Sequence, residues 1–181
     1  MTATWSFRTM QRGELNVDPI QSEFFSIEAL DGLTEALVRE TIQNTLDAGL
    51  SGQKVRVRFW LSGADDAVSS KLANKYFDGL WGHLHAKGSG LRSIPTAGED
   101  IPFLTVEDFQ TRGLRGSPTQ EKDEAGTKND FYYFWRNVGR SGKEEKDRGR
   151  WGLGKNVFPA SSRINTFFGL TVRDEKPAAL L

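Results

Sequence analysis

Residues 39–49 read Arg39-Glu40-Thr41-Ile42-Gln43-Asn44-Thr45-Leu46-Asp47-Ala48-Gly49. Val38, Ile42 and Leu46 recur every four residues, so we expect them to form the apolar stripe that anchors a helix over about residues 33–48 to a core. Polar side chains occupy another face of this helix, because residues three and four apart lie over one another. They are Glu40, Asn44 and Asp47.

This polar face pairs a carboxylate with a carboxamide one helical turn away. The carboxylate of Glu40 can accept a proton from a water molecule. The amide oxygen of Asn44 is a hard ligand of the kind that magnesium takes, since this ion binds few protein oxygens and keeps several waters. The alternative interpretation is an ordinary solvated helix face, and this run alone does not decide between the two.

The composition excludes several classes of protein. The chain has 181 residues, 24 basic and 24 acidic side chains, two histidines and no cysteine. Its length suits one sizeable core, and its balanced charge gives no general attraction to nucleic acid or anionic lipid. Disulfides and thiolate metal sites are excluded. We find no membrane-spanning segment and no signal pattern at the N-terminus, so we expect a soluble, cytoplasmic protein.

The apolar periodicity divides the chain into an N-terminal arm over residues 1–26 and a domain over residues 27–181. Ser26 or Asp31 is expected to cap the first helix, and Gly49 to end it. Residues 88–100 and 139–150 read as loops. The remaining pattern predicts strands over 54–61, 102–107 and 164–172 and helices over 72–84, 131–138 and 156–162.

Asp108 directly follows the predicted buried strand over residues 102–107. A carboxylate at that point can accept a hydrogen bond from an exocyclic amine such as that of adenine. A site built on this bond discriminates strongly, because a ligand without the amine leaves the acceptor unpaired. The alternative interpretation is an aspartate that opens a turn.

A glycine-rich segment precedes the predicted helix over residues 156–162. It reads Gly149-Arg150-Trp151-Gly152-Leu153-Gly154-Lys155-Asn156. Glycines let backbone N–H groups approach a phosphate closely, and a helix N-terminus adds further donors. The segment nearly fits the phosphate-binding P-loop, but it has Asn156 at the hydroxyl position and no apolar strand before it.

Together the three segments resemble the GHKL ATPases, the superfamily of gyrase, heat-shock chaperones, histidine kinases and mismatch-repair proteins. The resemblance spans about residues 30–173. The second segment is similar to the D-x-G-x-G box at Asp108. The third is similar to the chaperone lid box at Gly149, Gly152 and Gly154. The first resembles the mismatch-repair N-box, E-L-x-E-N-S-L-D-A-G, at Glu40, Asn44, Leu46, Asp47, Ala48 and Gly49.

The resemblance implies ATP and Mg²⁺ as cofactors and a role for each matching residue. Glu40 is the general base, Asn44 the magnesium ligand, and Asp47 helps to order the nucleotide site. Asp108 holds the adenine amine, and Gly113 lines the base or the hinge of the lid. Backbone amides close over the phosphates at Gly152, Leu153 and Gly154. Lys155 is expected to neutralise phosphate charge because of its position and charge, without a precedent in the family.

The implied fold is α+β, a Bergerat-type two-layer sandwich with a mostly antiparallel sheet, helices on one face and a lid over about residues 110–155. Two features depart from the family. Gln110 stands where the first glycine of the D-x-G-x-G box belongs. No segment after the strand at 164–173 matches the later strand whose threonine supports the adenine pocket. We therefore expect an incomplete sheet, and the N-terminal part of a larger protein.

The implied function is an ATPase that gates a larger machine, with nucleic-acid processing or defence as one setting, and with weak hydrolysis in isolation. Its expected partners are the nucleotide, further domains, and a second copy of the chain through the arm at residues 1–26. The sequence leaves nucleic acid open as a partner and predicts no membrane. Two alternatives remain: a nucleotide-binding or interaction module without hydrolysis, and a histidine-kinase-like phosphotransfer domain.

Overall fold

The computed structural model describes residues 4–14, 32–124, 126–137, 154–173 and 176–180. Helices and strands both occur in these residues, so the fold class is α+β, as predicted. The helices are α1 (Leu33–Ala48), α2 (Ser70–Phe77), α3 (Trp81–Leu84), α4 (Asp130–Trp135) and α5 (Val157–Ala160). The strands are β1 (Arg56–Leu61), β2 (Leu104–Phe109), β3 (Leu170–Arg173) and β4 (Lys176–Leu180).

Helix α1 confirms the predicted span of residues 33–48. Gly49 ends it as predicted, and the N–H of Gly49 donates to the carbonyl of Leu46 at 3.2 Å. The N-terminal flanking residue is Gly32, which offers no side-chain cap. The two predicted caps, Ser26 and Asp31, lie outside the described residues.

The buried face of α1 differs from the predicted one. The side chains of Val38, Ile42 and Leu46 are 37%, 42% and 62% exposed. The buried residues are Ala36, Leu37, Thr41 and Thr45. The row 37–41–45 precedes the predicted row by one residue, so the helix is turned by about 100° from the expected orientation. Packing against α5 causes this, because Val157 forms a fully buried cluster with Ala36 and Leu37.

This orientation predicts unequal losses of stability for two aliphatic truncations on α1. Leu37→Ala should lower the free energy of unfolding by about 2 kcal/mol, since it opens a cavity against α5. Ile42→Ala, one turn away on the exposed face, should change it by less than about 0.5 kcal/mol. Urea unfolding of the two variants measures the difference. Equal losses in both would show that the stripe of Val38, Ile42 and Leu46 is buried after all.

Strands β1 and β2 are antiparallel, with Val57 opposite Asp108 and Leu61 opposite Leu104. The predicted strands over 54–61 and 102–107 are therefore confirmed, although β2 extends to Phe109 and includes Asp108. Within the described residues β1 pairs with β2 alone. Much of this sheet is exposed, and Leu61 has 70% of its surface accessible.

The third predicted strand is shorter than expected, and a strand follows it. The strand begins only at Leu170 and runs to Arg173, and Asn165, near the start of the predicted span, adopts a left-handed φ of 50°. Strand β4 then pairs antiparallel with β3. The sequence pattern did not predict this strand, because the segment begins with charged residues. Residues 176–180 contain no threonine, so the expectation that no later segment matches the family's threonine-bearing strand stands.

Helices α2 and α3 form a second core that also holds the N-terminal segment. Its buried residues are Ala73, Phe77, Leu80, Leu84 and Ile164. The indole N–H of Trp5 donates to the carbonyl of Tyr76 at 2.6 Å. Phe7 stacks on His83 with ring centres 3.4 Å apart. The described part of the predicted arm therefore packs on helices of its own chain.

The predicted helix over residues 72–84 differs from the observed structure in two respects. It is divided into α2 and α3, and Leu72 and Tyr76 are 44% and 53% exposed rather than buried. Across the described part of the chain, every helix is too short or too polar to cross a membrane.

Candidate functional site

Glu40 projects from the middle of α1 towards the start of the turn at residues 154–156. Its side chain is 17% exposed and lies 3.6 Å from the guanidinium of Arg39. A Cβ built on Gly154 would overlap the carboxylate oxygen Oε2 of Glu40 and would stand 3.0 Å from its Cδ. The predicted general base therefore contacts the glycine-rich segment directly. Since any side chain at residue 154 would displace the carboxylate, glycine permits this contact.

The end of α1 is hydrogen-bonded to the segment that follows β2. The N–H of Leu50 donates to the carbonyl of Gln110 at 3.0 Å, and the N–H of Arg112 donates to the carbonyl of Ala48 at 2.9 Å. Gly49 and Thr111 form the antiparallel bridge between these bonds. The first and second sequence segments are thus joined through their main chains.

Arg112 adds a side-chain link at the same place. Its Nη1 donates to the carbonyl of Asp47 at 2.6 Å, and its Nε lies 3.5 Å from the carboxylate of Asp130, the first residue of α4. A cation at a helix C-terminus is favourable because it faces the negative end of the helix dipole. Arg112 therefore fixes α1 against both β2 and α4, a role that its place in the sequence did not indicate.

Asp108 lies within β2, one residue before the strand ends, rather than after it. Its side chain is exposed, and its Oδ1 accepts a hydrogen bond from the Thr111 hydroxyl at 3.3 Å. This bond spans the turn over residues 108–111 and agrees with the turn interpretation, although Asp108 lies at the end of the strand rather than after it. An exposed carboxylate on a strand remains available to accept a hydrogen bond from a ligand.

Gln110 adopts a φ of 60°. This left-handed conformation is the one that glycine adopts at no steric cost and that other residues adopt rarely. Gln110 replaces the first glycine of the D-x-G-x-G box, and its backbone thus has a conformation suited to glycine.

Gly113 makes the closest backbone approach in this region. Its φ is 65°, and a Cβ there would overlap the carbonyl oxygen of Val172 and stand 3.0 Å from the hydroxyl of Thr171. That hydroxyl is buried and accepts a hydrogen bond from the N–H of Leu114 at 2.8 Å. Gly113 thereby connects the segment after β2 to β3. Sequence reasoning missed Thr171, because nothing in the sequence distinguishes it from other strand threonines.

Lys155 is held by main-chain oxygens rather than left open to solvent. Its ammonium donates to the carbonyls of Tyr133 and Asn137. Burial lowers the pKa of Lys155 to about 8, because desolvation disfavours the charged form. In this structure the charge of Lys155 therefore fastens the turn at 154–156 to the end of α4. The other predicted residues of the glycine-rich segment, Gly152 and Leu153, lie outside the described residues.

Residues 116–122, in the first part of the predicted lid, are held by two long polar side chains. Arg136 donates to the carbonyls of Gln120 at 2.9 Å and Pro118 at 3.0 Å. Asn129 is 2% exposed and donates to the carbonyl of Ser117 at 3.0 Å. An open polar cavity of about 480 Å³ lies between this loop and Asn129. This half of the predicted lid is thus tied down by hydrogen bonds.

The described residues contain no group of three or more His, Asp and Glu side chains that would hold a metal ion by themselves. Asn44 lies half-buried on α1, one turn beyond Glu40. One carboxamide oxygen fits Mg²⁺ only if other ligands come from phosphates and water, which is how this ion commonly binds with nucleotides. The donor set here therefore fits a metal carried by a phosphate ligand.

Comparison with known proteins gives this chain no relative: it matches no protein-family model, no curated protein and no solved structure. The interpretation of the site therefore depends on its own residues and geometry.

Proposed function

We propose that this chain is an ATP-binding module of the GHKL type that hydrolyses ATP with Mg²⁺. The observation that carries the proposal is the contact between the carboxylate of Glu40 and the backbone of Gly154. These residues are more than a hundred positions apart in sequence and belong to the two most specific of the three motifs. A carboxylate that faces a glycine-rich backbone places a proton acceptor beside N–H groups of the kind that bind phosphate.

The second support is the hydrogen bonding between α1 and the segment after β2. Because the carbonyls of Asp47 and Ala48 bond to Arg112, the polar face of α1 is held beside the strand that carries Asp108. A nucleotide would then lie with its phosphates near Glu40 and Gly154 and its base near Asp108. Bound phosphates would accept hydrogen bonds from backbone N–H groups of the glycine-rich segment.

Within this proposal the residues have separate tasks. Asn44 contributes the protein oxygen to Mg²⁺, which when bound would neutralise the charge of the phosphates. Glu40 orients a water molecule and takes its proton. Lys155 holds α4 against the turn at 154–156, so we assign phosphate contact to the backbone amides rather than to its ammonium.

The proposal extends to the fold and the biological setting. The pairs β1–β2 and β3–β4 would belong to one Bergerat-type sheet, and the contact of Gly113 with Val172 supports this by tying the two pairs together. The module would gate conformational change in a larger cytoplasmic protein, with weak turnover in isolation because water exclusion needs a closed lid. The predicted homodimer through residues 1–26 remains a prediction.

Nucleotide binding can be tested by thermal shift and calorimetry with Mg²⁺-ATP. A ligand that binds the folded chain raises the melting temperature by mass action. Asp108→Asn should weaken ATP binding at least about tenfold, because a hydrogen bond to a charged acceptor contributes about 1.5–3 kcal/mol. Asp65→Asn, at an exposed carboxylate in the turn after β1, is the matched control and should bind like the parent. No binding by the parent chain would refute the proposal.

A nucleotide-binding module without hydrolysis is the second candidate. The hydrogen bonds of Lys155 favour it, since they leave the glycine-rich segment without a free ammonium for phosphate charge. Binding of ATP with no phosphate release, even at high protein concentration, would select this candidate over the ATPase.

A further inference from the structure

One face of the β1–β2 sheet combines basic and aromatic side chains. Its residues, here called the basic–aromatic face, alternate along both strands and stand opposite one another in the register. They are Arg56, Arg58 and Trp60 of β1 and Thr105, Glu107 and Phe109 of β2. We propose that the basic–aromatic face binds single-stranded nucleic acid, independently of any nucleotide at the site on α1.

The cationic part of this face is organised by Phe109. The guanidinium of Arg56 lies over its ring, 4.2 Å from the centre, and that of Arg58 lies 5.7 Å from the same centre. Stacking on an aromatic ring limits the motion of the Arg56 guanidinium and leaves its N–H groups able to contact phosphate oxygens. The guanidinium of Arg58 is also bonded to the carboxylate of Glu107, so Arg56 is the main cation for a phosphate on this face. Arg56 and Arg58 are two residues apart on one strand, so their Cα atoms are about 6.8 Å apart and the positive charge extends along the strand.

The aromatic part is Trp60, which is 43% exposed although its ring also meets Phe103 edge-on at 5.3 Å. An exposed indole beside arginines provides a stacking surface for an unpaired base, and base stacking on aromatic rings tolerates any sequence. A cavity of about 370 Å³ is lined by Arg58, Trp60, Thr105 and Glu107. Its volume lies at the low end of the about 300–1,000 Å³ that is typical of ligand pockets.

Glu107 decides between nucleic acid and an acidic peptide as the occupant. Its Oε2 accepts from Arg58 at 2.5 Å, which places a carboxylate inside the cavity. A carboxylate accepts hydrogen bonds from the exocyclic amines of bases, whereas the carboxylate side chains of an acidic peptide offer no such donor. One guanidinium over Phe109, one carboxylate that can accept from a base and one exposed indole therefore suit a strand of phosphates and bases better.

The test is fluorescence anisotropy of the full chain with labelled oligo-deoxycytidylate of about twelve nucleotides, without ATP or magnesium. We expect a Kd of about 10⁻⁴ M or tighter at low salt, weakening as salt rises with a logarithmic slope of about −0.7 to −1.4 for one or two phosphate contacts. Trp60→Ala should weaken binding at least about fivefold, and Trp60→Phe much less. Arg56→Ala should weaken binding and reduce the slope by about 0.7.

Lys71→Ala is the control, because Lys71 is an exposed cation on α2 and belongs to neither strand of this face. It should bind the oligonucleotide like the parent, and circular dichroism checks that every variant is folded. The inference is overturned if the parent does not bind, if Trp60→Ala and Arg56→Ala bind as well as Lys71→Ala, or if a labelled oligo-glutamate peptide binds in place of the oligonucleotide. Because ATP is absent, the outcome does not depend on the proposed ATPase function.

Discussion

Glu40→Gln should reduce ATP hydrolysis by about 10²–10⁴-fold, the usual contribution of a general base. The substitution keeps the shape of the side chain against Gly154, so the contact itself remains, but an amide cannot take a proton from water. Binding of Mg²⁺-ATP should change little, since Glu40 acts on the water and not on the nucleotide. Steady-state phosphate release, measured beside calorimetric ATP affinity, separates the two effects.

The matched control for this variant is Glu121→Gln, at an exposed carboxylate of the loop held by Arg136. It should hydrolyse ATP at the parental rate. The ion pair of Glu40 with Arg39 is partly exposed and contributes little stability, so lost folding does not explain a loss of activity. If Glu40→Gln retains the parental rate while still binding ATP, Glu40 is not the base.

Gly113→Ala should lower the free energy of unfolding by about 3 kcal/mol. A left-handed conformation costs an L-residue about 1–2 kcal/mol. The added methyl group would also overlap the carbonyl oxygen of Val172, and overpacking of this kind typically costs a further 1–3 kcal/mol. Chemical denaturation of parent and variant measures the loss.

Gly63→Ala isolates the conformational part of that loss. Gly63 has nearly the same φ, 64°, but no atom within 4 Å of a built Cβ. Its replacement should therefore cost only about 1–2 kcal/mol. The difference between the two losses in unfolding free energy measures the cost of the steric overlap between residue 113 and β3. Equal losses would mean that Val172 moves away freely and that the contact does not hold the two strand pairs together.

The sequence predicts α1 well in extent but not in orientation. Apolar periodicity and Gly49 place the helix correctly, because both depend on local residues. The buried face depends on α5, which lies more than a hundred residues later in the chain. Two threonines of α1, Thr41 and Thr45, are buried there although a periodicity argument counts them as polar. Only the tertiary partner determines which side of such a helix faces inward.

In the candidate site, too, the sequence indicates individual residues but not the contacts between residues that are far apart in the chain. The sequence indicates Glu40 and the glycine-rich segment separately, and the structure brings Glu40 to Gly154. It does not indicate the position of Lys155, because the partners are carbonyls 18 and 22 residues away that any residue type could supply. The sequence also does not predict the backbone conformation of Gln110, because glutamine rarely adopts a left-handed φ. In the structure Gln110 has this φ, and its carbonyl accepts a hydrogen bond from the N–H of Leu50.

The main-chain bonds of Leu50 and Arg112 have a consequence for hydrogen exchange. Both amides belong to one short ladder that flanks the bridge between Gly49 and Thr111. Neither can exchange with deuterium unless that ladder opens, so the two should exchange together in one cooperative event. The helix that carries Asn44 and the strand that carries Asp108 would thus separate in the same opening event. Both parts of the proposed site would then have the same free energy of opening in the exchange experiment.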